Sequence, residues 1–520
     1  MPGPALIERA ALYPQRTAIV DGDGEHSYAR VLEASARVAE TLLGLPEFGE
    51  CVSTPRCVPF LITPGFAWVA VQWGIWRAGG IAVPLPLGSP AAELEYFVRD
   101  TRATVLIAGP PGTELLAPIA GGCSLRLLRS DELLGGEAAP SHMQALPEID
   151  ESQPAMVLYT SGTTSRPKGV VMTHANVAAQ IVTLVRAWQW FESDRVLLCL
   201  PLHHVHGIIN VLSCALWSGA ICEMLPRFEA DTVWECIASG RLTLFMAVPT
   251  IYAKLISAWE AAPPERKAVL SEGCRKLRLM VSGSAALPVS TLNRWKEISG
   301  HTLLERYGMT EIGMALSNPL EGPRMPGSVG TPLPGVEVRL IDERGSPVAS
   351  GTPGEIEVRG PGVFQQYWGK PDATREAFRD GWFRTGDVAV VEDGRYRILG
   401  RMSTDIIKTG GHKVSALEIE ETLREHPAIA ECAVVGIPDP EWGERVAAAI
   451  VLRKDVLREE LLREGAELDL EGLRVWAKER LATYKVPSRL QVVNALPRNA
   501  MGKVTKPAVA DLFKSIPERH

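Results

Sequence analysis

Residues 159–169 (YTSGTTSRPKG) carry the kinds of side chain that could hold a phosphate chain. The stretch has five aliphatic hydroxyl side chains, two glycines and two cations, and it lies between two apolar runs that predict strands. Closely spaced backbone N–H groups, hydroxyl donors and positive charge suit an anionic ligand. The Gly-x-x-x-x-Gly-Lys-Ser/Thr spacing of a Walker A loop is absent. A polar turn between two strands is the alternative that composition alone leaves open.

A second group of polar side chains follows a predicted buried strand at 196–200. Three histidines, His203, His204 and His206, fall within four positions there. A metal site is the competing interpretation, but no acidic residue stands beside them, and the nearby Cys199 lies within the predicted strand. Because ligands of open α/β sheets gather at the carboxyl ends of strands, we expect these histidines to line a substrate cleft.

The elements that must position these residues alternate between predicted strands and helices. Residues 31–43 and 66–78 have helical periodicity, whereas 81–87 and 104–108 are short apolar runs typical of buried strands. This alternation predicts a mostly parallel sheet with helices on its faces. From Gly327 onward, strictly alternating segments predict half-exposed antiparallel strands, which could form a small barrel.

The last part of the chain predicts a separate, smaller unit. A chain of 520 residues is too long for one hydrophobic core. The pattern changes near residues 399–401, where we place a domain boundary. Downstream of it, the sequence predicts a short two-layer module with helices at 416–424 and 470–481 and strands at 432–435, 447–452 and 490–493.

Composition and charge narrow the class of protein. The chain is 46% hydrophobic and 22% charged, which is enough apolar material for a large core. A net charge of -7 argues against nucleic-acid partners and against a polybasic membrane surface. Nine cysteines without a Cys-x-x-Cys pair are typical of a reducing compartment. We expect a cytoplasmic protein, monomeric or homodimeric, without a membrane-spanning segment and with small molecules as partners.

Six motifs occur in one order along the chain. They are residues 159–169, called the phosphate loop from here on, 307–311 (YGMTE), 383–387 (FRTGD), 400–401 (GR), 407–411 (IKTGG) and 497–503 (PRNAMGK). In order and spacing they resemble the core motifs of the adenylate-forming superfamily, which includes acyl-CoA synthetases, luciferases and peptide-synthetase adenylation domains. The resemblance implies an α/β fold. Its large N-terminal domain (residues 1–399) would have stacked mixed sheets, flanking helices and a small β-barrel, and its C-terminal domain (400–520) would be small, mobile and α+β.

The same resemblance implies ATP and Mg²⁺ as ligands and an acyl-adenylate as product of the first step. Fixed positive charge must then neutralise the approach of a carboxylate to a phosphate. Glu311 would hold Mg²⁺, Thr310 would bond the α-phosphate, and Lys503 would bridge the carboxylate and the ribose. Tyr307 would stack on adenine and Asp387 would accept from the ribose hydroxyls. The expected ATP-binding residues are Thr160, Ser161, Gly162, Thr163, Thr164, Lys168, Gly283, Ser284, Ala285, Ala286, Glu305, Tyr307, Gly308, Asp387 and Arg401.

For the second step, the resemblance implies attack by the thiol of coenzyme A after rotation of the small domain. Lys408, Gly410 and Gly411 would lie beside the pantetheine tunnel, where a side chain at either glycine would obstruct the channel. Residues 400–405 (GRMSTD) are one residue longer than the Gly-Arg-x-Asp-Asp common in the family. Ser403 and Thr404 therefore both remain candidates for the hinge.

The acyl pocket is predicted to take an acid with a second carboxylate. A cation beside two histidines is costly to bury unless an anion meets it. We expect Arg227 to bind the distal carboxylate through its planar guanidinium, with His206 and Ser282 assisting. An exposed loop arginine and a hydrogen-bonded core histidine are the competing interpretations. The full set of expected substrate residues is His204, His206, Arg227, Ser282 and Met309.

Several segments around this pocket also resemble malonyl-CoA synthetases, namely 188–190, 204–207, 227–228, 282–288, 305–317 and 326–336. Malonate, or methylmalonate, is therefore the predicted acid. A second hypothesis is adenylation of another small acid, short-chain, aryl or amino, with transfer to coenzyme A or to a carrier-protein thiol. A third is a luciferase-like oxygenase or a non-catalytic sensor of the same fold. Pyrophosphate release would separate adenylation from sensing, and the thiol requirement would separate coenzyme A from a carrier protein.

Overall fold

A computed structural model describes most of the chain: residues 3–48, 56–135, 146–160, 166–453, 469–498 and 504–514. Five predicted site residues lie outside the described residues. They are Ser161, Gly162, Thr163 and Thr164 of the phosphate loop and the expected catalytic lysine, Lys503.

A nine-stranded mixed sheet runs through the N-terminal part. Its central strands pair in parallel and therefore need crossover connections, which helices such as Pro249–Ala261 supply. Strands such as Leu244–Ala247 are buried at every residue, as expected when both faces of a sheet are covered. The strands lie in the order Thr331–Pro332, Gly313–Ser317, Leu304–Met309, Leu279–Ser282, Leu244–Ala247, Arg195–Leu198, Ile221–Met224, Thr17–Asp21 and Gly24–Ser27.

A second, seven-stranded mixed sheet contains the strands on either side of the phosphate loop. These two strands, Pro154–Thr160 and Lys168–Thr173, pair antiparallel. One cluster of buried apolar residues draws from both large sheets and from helix Phe66–Arg77, which contributes Trp68, Trp73 and Trp76. The strand order is Gln366–Tyr367, Lys168–Thr173, Pro154–Thr160, Ile81–Pro84, Cys57–Leu61, Val105–Ala108 and Arg126–Arg129.

The strands expected to form a small barrel lie in a five-stranded antiparallel sheet. It is ordered Glu337–Ile341, Gly354–Arg359, Trp382–Glu392 and Phe378–Arg379, with Arg395–Arg401 also paired to Trp382–Glu392. Its last strand carries Arg401 and pairs that residue with Asp387. The sheet therefore places two expected ATP-binding residues side by side.

A fourth sheet begins at Ile406 and has its own hydrophobic core. The structure has a hairpin of strands Ile406–Thr409 and His412–Ser415 that the sequence analysis does not predict. These strands are short, and the polar residues around Gly410 interrupt the apolar alternation that would indicate them. Its strands are His412–Ser415, Ile406–Thr409, Gly443–Leu452 and Ile429–Asp439, with Arg489–Val492 also paired to Gly443–Leu452. Helix Ala416–Arg424 confirms the predicted helix at these positions.

Helices flank the sheets, and those predicted at 31–43 and 66–78 are confirmed as Tyr28–Leu43 and Phe66–Arg77. A π-helix, His206–Ser213, begins at the last of the three histidines. The other α-helices of the described residues are Ala5–Ala10, Ala91–Asp100, Pro110–Cys123, Ser130–Gly135, His174–Ala187, Cys214–Trp217, Ala230–Ala238, Pro249–Ala261, Pro264–Arg275, Val289–Ser299, Pro371–Ala377, Leu470–Lys478 and Lys506–Asp511. Within the described ranges, no helix has both the length and the apolar character needed to cross a bilayer.

Candidate active site

The hairpin that carries the phosphate loop brings Thr160 and Lys168 opposite each other. The Lys168 ammonium lies over the ring of Tyr367, 5.0 Å from its centroid. On the returning arm of the loop, the Tyr96 hydroxyl donates to the Pro167 carbonyl at 2.8 Å. Aromatic side chains therefore hold the base of the loop, and Lys168 lies at the end of a strand where it could meet a phosphate.

Glu311, the predicted magnesium ligand, is a buried carboxylate in the turn after strand Leu304–Met309. Its Oε1 accepts a hydrogen bond from the Tyr367 hydroxyl at 3.1 Å. Burial raises the pKa of Glu311, and the Tyr367 hydroxyl and the charge of Arg401 oppose that rise. Thr310, expected to bond the α-phosphate, precedes it in the same turn and is half-buried.

Glu311 fits Mg²⁺ as a single-carboxylate site. No group of three or more His, Cys, Asp or Glu side chains within the described ranges could hold a metal ion by itself. Mg²⁺ is commonly bound through one or two carboxylates together with substrate phosphates and water, rather than by an all-protein cage. One buried carboxylate, joined through Tyr367 to the lysine predicted to bind phosphate, matches that donor set.

Tyr307, Asp387 and Arg401 form one hydrogen-bonded group. The Tyr307 hydroxyl donates to Oδ2 of Asp387 at 2.6 Å, and Nε of Arg401 donates to Oδ1 at 3.0 Å. Burial raises the pKa of Asp387, whereas Arg401 and Tyr307 favour its ionised form. The structure therefore links the expected adenine-stacking ring through its hydroxyl to the expected ribose-binding carboxylate.

The turn after strand Leu279–Ser282 brings a glycine against an arginine. A Cβ at Gly283 would lie 2.6 Å from Cζ of Arg306, so only glycine leaves room for that guanidinium. Ser284 has a positive φ of 68°, and Ala285 and Ala286 after it are exposed. From the sequence, Gly283, Ser284, Ala285 and Ala286 are expected to bind ATP. At Gly283 the structure supplies a different reason, namely the space that Arg306 occupies.

Gly308 also has a reason within the protein. A Cβ there would lie 2.1 Å from the carbonyl oxygen of Gly313 in the paired strand. The close approach of these two strands therefore requires glycine at this position, whether or not a nucleotide lies nearby.

Arg306 is a buried guanidinium, and no carboxylate within the described ranges forms an ion pair with it. Its Nη2 donates to Ser284 Oγ at 3.3 Å, while its Nε and Nη1 have no hydrogen-bond partner within the described part of the chain. Burial lowers the pKa of Arg306 to about 9. Ser284 Oγ lies 3.2 Å from Nδ1 of His206, so the histidine predicted for the acyl site belongs to the same cluster. This cluster can receive an anion.

Arg227 lies at the surface and not in this cluster. Its side chain is 80% exposed and pairs with Glu229 at 2.6 Å. The expectation of a buried Arg227 beside His206 and Ser282 is therefore wrong. The physical reason is that Arg227 stands in the loop after strand Ile221–Met224, where a carboxylate two residues away neutralises it in contact with solvent.

The remaining expected substrate residues differ in burial. Ser282 is fully buried, and its hydroxyl has no hydrogen-bond partner among the residues that the structure describes. Glu305 lies opposite Ser282 in the sheet register, and burial raises its pKa to about 8. His204 is half-buried with its ring 4.1 Å from that of His203, and Met309 is half-buried at the end of its strand.

The residues expected beside coenzyme A form an exposed hairpin turn. Lys408, Gly410 and Gly411 are all exposed, and both glycines have positive φ, 54° and 80°. Gly410 N–H donates to the Trp442 carbonyl at 2.9 Å, and a Cβ at Gly410 would lie 2.9 Å from the Trp442 ring. The turn itself therefore requires glycine at 410.

The candidate hinge forms a tight turn. The amides of Thr404 and Asp405 both donate to the Arg401 carbonyl, and the Asp405 carboxylate accepts from the Arg401 amide at 2.9 Å. Ser403 is exposed and Thr404 is half-buried. Both sequence candidates lie within this turn.

Sequence reasoning missed two residues that this site contains, Arg306 and Tyr367. Arg306 had a signal in the sequence, because it stands directly between Glu305 and Tyr307, two expected ATP-binding residues. Tyr367 had none, since it stands far along the chain from both Lys168 and Glu311. Only the pairing of its short strand with Lys168–Thr173 brings it to them.

Comparison with known proteins gives matches over nearly the whole chain. The family model for AMP-binding enzymes matches residues 6–368, and that for the AMP-binding enzyme C-terminal domain matches 418–503. The mitochondrial malonate–CoA ligase ACSF3 of Mus musculus is 46% identical over 96% of this chain and 88% of its own length. ATP-bound MatB from Rhodopseudomonas palustris matches with a TM-score of 0.87 at 33% identity, covering 99% of both chains. The apo form of MatB matches with a TM-score of 0.78 at the same identity and coverage.

Proposed function

Because the chain belongs to the family of AMP-binding enzymes, we propose that it is an ATP-dependent malonate–CoA ligase. It would convert malonate, ATP and coenzyme A into malonyl-CoA, AMP and pyrophosphate through an acyl-adenylate, and methylmalonate is a further candidate acid. The similarity to the malonate–CoA ligase ACSF3 supports this proposal. The related CoA ligases and ATP-bound structures also support ATP, Mg²⁺ and coenzyme A as its ligands.

The observation that carries the choice of acid is the unpaired guanidinium of Arg306. A buried cation without a counter-charge is costly, and that cost falls when an anion pairs with it. Two of its nitrogens have no hydrogen-bond partner within the described part of the chain. A second carboxylate on the substrate would accept a charge-assisted hydrogen bond from one of these two nitrogens. A monocarboxylic acid would leave Arg306 unsatisfied.

In the first half-reaction, a carboxylate oxygen of malonate bonds to the α-phosphorus of ATP and the bond to pyrophosphate breaks. Lys168 would hold the departing phosphates, and Asp387 would accept from the ribose hydroxyls. Lys503 would place a cation between the two reacting anions. Mg²⁺ held by Glu311 would supply further charge neutralisation. These fixed charges act where negative charge gathers in the transition state.

In the second half-reaction, the thiol sulfur of coenzyme A bonds to the acyl carbon, AMP leaves and the thiol proton passes to solvent. We place Gly410 and Gly411 beside the pantetheine arm and keep Lys408 as a coenzyme A contact. Residues 1–399 and 400–520 are the two proposed domains. The hinge between them would be Ser403 or Thr404. Rotation of the C-terminal domain about this hinge would switch the enzyme from the first half-reaction to the second.

The test is a substrate panel with matched arginine variants. AMP and thioester formation would be measured with malonate, acetate, octanoate and benzoate, with and without coenzyme A. We expect malonate to be preferred. Removing a buried charge from an ion pair costs about 2–5 kcal/mol, so Arg306→Met should lower kcat/KM for malonate roughly 30-fold or more and leave acetate little changed.

Arg227→Ala is the control, because its arginine lies at the surface, and it should retain the preference for malonate. Circular dichroism would check the fold of both variants. A preference for octanoate or benzoate, or an unchanged malonate preference in Arg306→Met, would contradict the proposal.

A further inference from the structure

We propose that Tyr367 is a positioning residue for adenylate formation, because it joins the metal-binding carboxylate to the phosphate-binding cation. Its hydroxyl donates to Glu311 and its ring face contacts the Lys168 ammonium. One side chain thereby sets the position of one group relative to the other. The inference rests on the proposed function for the roles of Glu311 and Lys168.

The hydroxyl acts on Glu311. Tyr367 is 8% exposed, and its phenol lies 3.1 Å from Oε1 of the buried Glu311 carboxylate. A donor on one oxygen fixes the rotation of the carboxylate and leaves the other oxygen to face a cation. Ligating carboxylates are commonly hydrogen-bonded in this way, and loss of such a partner typically costs about 10–100-fold in metal affinity.

The ring acts on Lys168. A cation 5.0 Å from the centroid of an aromatic ring is attracted by its negative face. No carboxylate in the described part of the chain forms a salt bridge with Lys168, so its positive charge remains for an anion. The aromatic contact restrains the flexible ammonium without neutralising it.

Tyr367 is itself firmly held, and it connects two sheets. Its short strand pairs with the strand that begins at Lys168, and its amide donates to Thr374 Oγ1 at 3.0 Å. Its ring packs edge-on against Phe364 with centroids 4.8 Å apart. Glu311, by contrast, follows a strand of the nine-stranded sheet. Tyr367 therefore links one group from each of the two large sheets.

Two substitutions separate the two roles. Tyr367→Phe removes the hydroxyl and keeps the ring, whereas Tyr367→Leu removes both. Tyr396→Phe is the matched control, because its hydroxyl donates to the Val338 carbonyl in the five-stranded sheet, away from Glu311 and Lys168. Binding of an α,β-methylene ATP analogue would be measured by titration calorimetry at several Mg²⁺ concentrations, alongside pyrophosphate release with malonate.

We expect Tyr367→Phe to raise the Mg²⁺ concentration needed for half-maximal nucleotide binding about 10-fold. Its affinity for the analogue without Mg²⁺ and its KM for malonate should stay at the wild-type values. Tyr367→Leu should in addition weaken Mg²⁺-free nucleotide binding several-fold, because Lys168 loses its restraint. Tyr396→Phe should match the wild type in every measurement.

A wild-type Mg²⁺ dependence in Tyr367→Phe would overturn the inference. So would an equal loss of Mg²⁺-dependent and Mg²⁺-free binding, since a purely structural role predicts that result. If Tyr367→Leu fails to fold, the phenylalanine variant alone decides. A wild-type protein that binds the nucleotide but makes no malonyl-CoA would refute the proposed function, and the binding measurements would still decide the role of Tyr367.

Discussion

Nε of Arg401 donates a hydrogen bond to Oδ1 of Asp387 at 3.0 Å, and the two residues face each other on paired antiparallel strands. The other carboxylate oxygen accepts from the Tyr307 hydroxyl at 2.6 Å. A carboxylate has about four lone-pair sites, so Asp387 can still accept from ribose hydroxyls while both protein partners hold it in place.

Replacing this carboxylate should impair ATP binding selectively. Asp387→Asn keeps the size of the side chain but removes the ion pair with Arg401 and weakens acceptance from the ribose. We expect KM for ATP to rise about 10-fold or more, with KM for malonate changed less than about 3-fold. Glu392→Gln is the control, since it removes the exposed pair with Arg397 on the same two strands. Equal rises in both KM values would contradict the assignment.

The preference for malonate should depend on pH. Burial lowers the pKa of Arg306 to about 9. The guanidinium is charged below that value and loses its charge as the pH rises through it. The ratio of kcat/KM for malonate to kcat/KM for acetate should therefore fall above about pH 9, because kcat/KM reports groups of the free enzyme.

Pyrophosphate release without coenzyme A is the measurement for this prediction, since it avoids the titration of the thiol. The titration of groups that act on both acids, such as Lys503, affects both kcat/KM values equally and therefore cancels in the ratio. A ratio that stays constant up to pH 10 would contradict this prediction.

The stability of the folded protein should depend on pH through the ionisation of Glu305. Burial raises the pKa of Glu305 to about 8, and Gly327 N–H opposes that rise. Between about pH 4.5 and pH 8 the folded protein keeps a proton that the unfolded chain releases, so this group lowers stability as the pH rises. Glu305→Gln stays neutral and should raise the thermal midpoint by about 2 °C or more at pH 8.5.

At pH 5 the same substitution should have little effect, because Glu305 is then protonated in the folded protein. Scanning calorimetry at both pH values would test this. A midpoint that shifts equally at pH 5 and pH 8.5 would contradict the assignment of a neutral Glu305.

Glu421 should favour the first half-reaction. Its Oε1 accepts a hydrogen bond from the Val289 amide at 2.7 Å, at the start of helix Val289–Ser299. A carboxylate of the proposed C-terminal domain therefore caps a helix of the proposed N-terminal domain. A negative charge at a helix N-terminus stabilises it by about 0.3–1 kcal/mol. The overall arrangement matches ATP-bound MatB with a higher TM-score than the apo form. Glu421→Ala should slow pyrophosphate release about 2- to 5-fold.

Thioester formation from supplied adenylate should be unaffected in Glu421→Ala, because this contact would break when the C-terminal domain rotates. Glu425→Ala, in the same segment and exposed, is the control. If both half-reactions slow equally, the contact with Val289 is structural and does not select an orientation.

The family and much of the fold could be predicted from the sequence, because the motifs and apolar patterns that indicate them lie within short stretches of the chain. The order of motifs predicted the adenylate-forming superfamily, which the family matches confirm. Helix Ala416–Arg424 was predicted with the bounds it has, since its apolar spacing and its Ser415 cap lie next to each other. The polar hairpin at Ile406–Thr409 was missed because its alternation is too short and too polar to stand out.

The sequence by itself determined the family, the candidate phosphate and metal residues and the need for a cation opposite a second carboxylate. It did not determine which arginine that cation is. Burial decides this, and burial follows from strand pairing between distant segments. Arg306 lies in a strand that packs it against Gly283, whereas Arg227 lies in a loop beside Glu229. For the same reason only the tertiary structure brought Tyr367 between Lys168 and Glu311.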